Sequence, residues 1–266
     1  MQHGKSTATR RFIIAVASVK GGTGKTSLAA NLGVALALSD RQVAVLDLDP
    51  QDALYAHLDP VGGHGEGIVG ASLDGLHWAD IARYSPHGAM VLPYGKTSHT
   101  ARKVFEHALE NEPDWLAQGV DSLGLGADSV VIFDTPTTPS GLSAQALGLA
   151  DMVVMPLLAD AASYATVPAI RQLLDAYPPT HNRGREYLFV TNQLDAADEL
   201  GRDVARLMRR EFAGHQAGEV ASDPVFRRAH ASRCSIFDYD TNSRGASDLL
   251  AVTRVIARRF PVTQDA

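Results

Sequence analysis

Between an apolar run of strand length, Phe12 to Val19, and a run of helical period from Ser27, the chain reads Lys20-Gly21-Gly22-Thr23-Gly24-Lys25-Thr26-Ser27. Strand, glycine-rich turn and helix in that order admit few folds. Leu28, Leu32 and Leu36 recur at helical spacing through Ser27 to Leu38, so the turn opens directly into a helix. Gly21, Gly22 and Gly24 let the backbone take positive φ values and bring its N–H groups close to an anion. The helix start adds roughly half an elementary positive charge at the same place. A triphosphate suits that field: Lys25 reaches its β and γ phosphates, and the Thr26 hydroxyl is placed to hold the accompanying magnesium ion. Thr23 and Ser27 complete the cradle.

A chain of 266 residues is long enough for one large α/β domain with a well-buried core. The expected division is a tail over 1–10, a single domain over 11–260 and a second tail over 261–266. Hydrophobic residues at 45% and charged ones at 20% are the balance of a globular protein. A net charge of -6 argues against a uniformly basic nucleic-acid coat but leaves room for a local basic patch. Cys234 is the only cysteine, so one chain can form no disulfide, redox pair or thiolate zinc cage, and a reducing cytoplasm fits. His3, Lys5, Arg10 and Arg11 precede an apolar stretch, as in a secretory signal, but that stretch runs into the phosphate loop rather than a cleavage site. No later apolar segment reaches the roughly twenty residues needed to span a bilayer, so insertion through a membrane is not expected.

Downstream, apolar runs repeatedly end in an acid followed by proline. Gln42 to Asp49 closes on Asp47-Leu48-Asp49 before Pro50, and Ser129 to Phe133 leads into Asp134-Thr135-Pro136. Met90 to Tyr94, Met152 to Leu157 and Tyr187 to Thr191 are further strand-like runs, with helix-like segments between them. Alternation of this kind predicts a doubly wound, mostly parallel sheet with helices on both faces and right-handed crossovers. Ligands then gather outside the carboxyl ends of the strands, where Lys20, Asp47, Asp49, Asp134 and Asn192 would converge. Strand-end aspartates also serve simply as helix caps, and for Asp47 that role is an open alternative. Arg102 to Glu110 and Pro113 to Gln118 read as two short helices, the second with Pro113 in its first turn. Gly62 to Gly67 reads as a loop.

The phosphate loop departs from the ordinary pattern, which places a glycine five residues before Gly24; Val19 stands there, and Lys20 is an additional lysine. This stretch resembles the deviant Walker A loop of the MinD/ParA family of ATPases. The resemblance implies ATP with Mg2+ as ligand, slow hydrolysis, and a homodimer bridged by ATP, in which Lys20 touches the nucleotide of the other subunit and acts like an arginine finger. It places Asp134 beside the metal through water and counts Asp47 with Thr26 among the metal-site residues. It puts Asp47 and Asp49 in a first switch with Asp49 orienting the attacking water, and makes Asp134 to Gly141 a second switch. It also assigns Asn192 to the adenine base, although a solvated turn asparagine would look the same. Phe237-Asp238-Tyr239-Asp240 and Ser243-Arg244-Gly245-Ala246 resemble the end of ParA-type chains, so the likeness covers most of the sequence.

Gly75-Leu76-His77-Trp78 and Val91-Leu92-Pro93-Tyr94-Gly95 resemble the MinD-like ATPases of bacterial cellulose-synthase operons, the BcsQ (YhjQ) type. That implies a cytoplasmic protein recruited to components of the cellulose synthase complex at the inner membrane. An alternative is a DNA-partition ATPase, motivated by Arg202, Arg206, Arg209 and Arg210 on one side of a helix, opposite Leu200, Val204, Leu207 and Met208. The same row also reads as a solvated helix face. A third class is a scaffold that binds nucleotide without turning it over. Leu249, Val252, Ile256 and Phe260 form an apolar stripe over Asp248 to Phe260, expected to pack on the core rather than on lipid.

Overall fold

The computed structural model describes residues 11–58, 66–181 and 184–260; both expected tails and most of the Gly62 to Gly67 loop lie outside them. Strands β1 (Phe12–Val16), β2 (Val43–Asp47), β3 (Arg83–Tyr84), β4 (Met90–Leu92), β5 (Val130–Asp134), β6 (Met152–Leu158), β7 (Glu186–Leu194) and β8 (Gln216–Ala221) form one sheet. Its spatial order is β3-β4-β2-β5-β1-β6-β7-β8. Every pairing is parallel except the edge pair β3 and β4. Long apolar runs form strands here because a central parallel strand is buried on both faces. Consecutive side chains of β1 accordingly go to opposite sides, Ile14 and Val16 to one core and Ile13 and Ala15 to the other.

Helices α1 (Lys25–Ala37), α2 (Ile68–Leu73), α3 (Trp78–Ile81), α4 (His99–Asn111), α5 (Trp115–Ser122), α6 (Gly141–Leu149), α7 (Ala161–Tyr164), α8 (Val167–Ala176), α9 (Glu199–Glu211), α10 (Pro224–Ala231), α11 (Ile236–Tyr239) and α12 (Arg244–Ala257) cover both faces, as the alternation predicted. On one face Leu28, Leu32 and Leu36 of α1 join Leu249, Val252 and Ile256 of α12 over Val45, Val130 and Ile132. The C-terminal stripe thus packs on the core. Gly33 permits this approach, since a Cβ there would sit 2.4 Å from Val45 Cγ2. Asn31 ties α1 to the C-terminal segment: its Oδ1 accepts from Ile236 N at 2.9 Å, the first residue of α11.

The opposite face is covered in two parts. Phe105, Leu109, Leu116, Leu142 and Ala146 pack on Leu46, Val131 and Phe133, and Ile170, Val204 and Met208 pack on Val153, Met155 and Phe189. Two expectations are corrected. Pro113 precedes the N-cap Asp114 of α5 and is not in its first turn. In α9 the buried side is Gly201, Val204, Ala205 and Met208, while Leu200 and Leu207 are exposed, because the helix packs on the sheet through Val204 and Met208 beside Phe189 of β7. Among the described residues no helix is long and apolar enough to cross a membrane.

Candidate functional site

Register brings the acids together. Val16, at the end of β1, is level with Asp134, and Asp134 is level with Asp47 on the other side of β5. Three strands therefore stop at one height, where β1 hands over to the glycine loop. Gly24 caps α1 with φ 86° and ψ 25°, a left-handed conformation that glycine adopts freely, and Gly22 has φ 76°. A Cβ on Gly24 would stand 2.4 Å from Asn192 Nδ2, so the loop and the end of β7 are in direct contact. Asn192 Nδ2 donates to Thr23 O at 2.7 Å and Gln193 Nε2 to Gly22 O at 3.3 Å, which holds the loop in place from the far side of the sheet.

Lys25 is 7% exposed, and its ammonium lies 3.3 Å from Asp134 Oδ1 and 3.7 Å from Asp49 Oδ2. Burial pushes the Asp134 carboxyl above its ordinary range, and the Lys25 ammonium and Thr26 hydroxyl act against that. The second oxygen, Asp134 Oδ2, is buried without a hydrogen-bond partner among the described residues, as is Thr23 Oγ1. An orphaned buried carboxylate oxygen beside a threonine hydroxyl is a hard oxygen donor pair of the kind magnesium takes, usually through retained water. Thr26 and Asp134 thus fit the ion.

Asp47 is placed differently from the expectation. It is fully buried, and both oxygens are spent on backbone: Oδ1 accepts from Asp49 N at 2.9 Å and Oδ2 from Leu54 N at 2.9 Å. Burial, and then the adjacent Asp134, hold its carboxyl well above the ordinary range. Asp47 sits next to Asp134 in register, but with both oxygens held by backbone N–H groups it shapes the turn that presents Asp49 rather than offering an unpartnered oxygen to an ion. Asp49 is partly exposed; its Oδ1 accepts from Gln51 N at 3.0 Å.

Lys20 turns to the opposite side. Its ammonium lies 3.3 Å from Asp160 Oδ2 and 3.2 Å from Ser163 Oγ, at the end of β6 within the same chain. Burial raises the Asp160 carboxyl, but the Ser163 N–H and hydroxyl together with Lys20 outweigh it and hold the group below its ordinary value. Sequence reasoning did not single out Asp160, although it closes an apolar strand as Asp134 does.

Beside Gly24 opens a cavity of about 380 Å³ whose lining includes Asn192, Gln193, Asp223, Pro224, His57 and His230. Asp223-Pro224 at the end of β8 repeats the acid-proline pattern of Asp49-Pro50, and that signal would have found it. Asn192 therefore supports the loop and lines this cavity at once. On α9, Arg206 pairs with Asp203, Arg209 with Glu219, and Arg202 with Glu199 at 3.9 Å.

A parallel sheet whose first turn is a two-lysine phosphate loop, with acids at the neighbouring strand tips, defines the deviant P-loop class of the MinD/ParA ATPases. The chain belongs to the family described as cellulose biosynthesis protein BcsQ, whose sequence profile matches residues 12–256. It is similar to the cellulose biosynthesis protein BcsQ of Salmonella typhimurium, 28% identical over 247 residues, covering 90% of this chain and 92% of that one. The chromosome partitioning protein ParA of Myxococcus xanthus is 25% identical over 266 residues, covering 95% of this chain and 90% of that one. Among solved structures, a plasmid partition protein of Borrelia burgdorferi bound to AMPPNP superposes with a TM-score of 0.77 at 16% identity, covering 94% of this chain and 100% of that one. At that identity the likeness is one of fold.

Proposed function

We propose that this chain is an ATP-binding and ATP-hydrolysing dimerisation switch that serves a bacterial cellulose synthase complex. The observation that carries the catalytic part is the cluster of buried Lys25 and Asp134 with partly exposed Asp49, one oxygen of Asp134 having no partner among the described residues. ATP lies with its phosphates along Gly21, Gly22, Thr23, Gly24, Lys25, Thr26 and Ser27, and its base enters the cavity lined by Asn192 and Pro224. Lys25 leaves the two aspartates for the β and γ phosphates. Thr26 and Asp134 would hold a magnesium ion, Asp134 through water, and the ion would supply charge neutralisation to the transferring phosphoryl group. Asp49, freed from Lys25, orients the attacking water. Lys20 leaves Asp160 and reaches the phosphates of a second copy, where a positive charge stabilises the transition state.

The cellulose assignment is supported by the family profile over residues 12–256 and by the Salmonella relative. It implies a cytoplasmic protein recruited to synthase components at the inner face of the inner membrane. Purified chain is mixed with ATP and magnesium, its mass followed by light scattering and phosphate release measured for wild type, Lys20→Ala and Asp49→Ala. Doubling of mass with ATP and turnover lost in both variants are expected. A chain that neither binds ATP nor changes mass ends the proposal, and turnover equal in all three supports a scaffold instead.

A DNA-partition role is the second reading, favoured by the Myxococcus relative and the arginine row of α9. Carboxylates already engage Arg202, Arg206 and Arg209, which weakens that row as a phosphate-binding surface. Duplex binding that falls steeply with added salt would favour partition, whereas no binding at low salt excludes it.

A further inference from the structure

A second cavity, of about 540 Å³, lies between the Asp49–Gln51 turn, the Pro136–Ser140 segment and α4, and Tyr94, Arg102 and Glu106 contribute to its lining. Tyr94 is 1% exposed, yet its hydroxyl has no hydrogen-bond partner among the described residues. A buried hydroxyl in that condition costs free energy, and in a native chain it calls for a partner in some state of the protein or a role of its own.

Its backbone is fixed from three sides. Ile68 N donates to Pro93 O at 3.0 Å, Val69 N to Tyr94 O at 3.3 Å, and Gly95 N to Asp52 Oδ1 at 3.1 Å. Gly67 and Gly95 are in backbone contact, and a Cβ on Gly67 would fall 2.3 Å from Gly95 Cα. The ring is braced as well. Phe105 meets it edge-on at 6.5 Å, Trp115 meets Phe105 at 5.0 Å, and Trp78 meets Trp115 at 4.9 Å. This aromatic ladder joins the two sequence stretches 75–78 and 91–95 that nothing in the phosphate chemistry uses. With the phenol held so firmly, a partner must come to it.

Asp49 lines the same cavity. In the free chain its Oδ2 faces Lys25 at 3.7 Å, and nucleotide phosphates would draw that lysine away. Arg102, the cation in this lining, is already engaged by Glu106 at 2.9 Å and does not compete for Asp49. Burial pushes the phenol up to about 12, so it stays protonated and able to donate at neutral pH.

We infer that Tyr94 is a positioning residue: its hydroxyl donates to the Asp49 carboxylate once Lys25 has turned to the nucleotide, and so fixes the acid that orients the attacking water. The inference rests on the nucleotide reading above and deepens it.

Tyr94→Phe removes only the hydroxyl. The free variant should melt at or above wild type, because an unpartnered polar group is gone. Its gain in melting temperature on adding ATP and magnesium should be smaller than that of wild type by roughly 5 °C, and turnover at saturating ATP should fall roughly ten- to a hundredfold. In an Asp49→Ala background the same substitution should no longer change the gain on loading. An equal gain in wild type and Tyr94→Phe overturns the inference, and so does a free variant that melts lower but loads normally, since that marks a purely structural tyrosine. A wild-type chain that gains nothing from ATP and magnesium sinks the nucleotide reading itself, and this inference with it.

Discussion

His57 ends the 3-10 turn Leu54–His57 that follows the Asp49 tip, and its ring lies on that of His230 in α10, with centroids 4.4 Å apart and planes tilted by 38°. Burial, and then the neighbouring His230, press the His57 pKa down to about 4 from an ordinary 6.5. Below pH 6.5 the unfolded chain therefore takes up a proton that the folded chain refuses. The stability concerned is fully present above 6.5 and is lost as the pH falls towards about 4. At about 1.36 kcal/mol per pH unit the whole interval amounts to about 3 kcal/mol, of which about 2 kcal/mol is gone at pH 5. His57→Gln removes the titration while keeping a polar side chain of similar size. Urea unfolding of both chains at pH 7.5 and pH 5.0 measures the effect, and contributions common to the two chains cancel in the difference. Wild type should lose about 2 kcal/mol more than the variant between those conditions. Parallel losses, within about 0.5 kcal/mol of each other, would refute the idea that the fold keeps this imidazole neutral.

Other expectations follow from close contacts. Gly24→Ala forces a Cβ to within 2.4 Å of Asn192 Nδ2 at a residue with φ 86°, and should abolish ATP binding in a fluorescent-nucleotide titration while the sheet still folds by circular dichroism. Asp160→Asn keeps an oxygen to cap α7 but discharges the partner of Lys20, so light scattering should show ATP-induced dimers at lower protein concentration than for wild type. Gly119→Ala would place a Cβ 2.3 Å from the Trp78 ring. It should cost about 1–3 kcal/mol in urea unfolding and leave ATP affinity unchanged, because the clash lies in the aromatic ladder and away from the loop.

Much of the site was legible because it is local. The cradle is a contiguous octapeptide, and Asp49 and Asp134 announce themselves as acids that end apolar runs. Asp160 and Asp223 also follow apolar strand runs, but sequence spacing alone does not tie them to the glycine loop, whereas the fold sets Asp160 beside Lys20 and Asp223 in the cavity that Gly24 lines. Asp47 shows where local reading stops: a strand-end carboxylate looks the same whether it faces a metal or its own backbone, and only the fold of the turn sends both its oxygens to Asp49 N and Leu54 N. The α9 helix shows the same limit. Hydropathy put Leu200 and Leu207 inward, whereas the packed helix buries Gly201 and Ala205 with Val204 and Met208.

By its own pattern the amino-acid order determined an alternating α/β chain, a phosphate-binding turn with two lysines, and acids at neighbouring strand ends. Each is set by residues within a few positions of one another, through backbone freedom at glycine and apolar periodicity. Which residues hold those lysines was decided only in three dimensions. Lys20 meets Asp160, Lys25 meets Asp134, and Asn192 meets Thr23 O because parallel pairing of β1, β5, β6 and β7 brings distant strand ends to one level. Tyr94 lacks a hydrogen-bond partner among the described residues for the same reason: the sheet and the aromatic ladder fix where its hydroxyl stands, and no stretch of sequence records which groups pack around it.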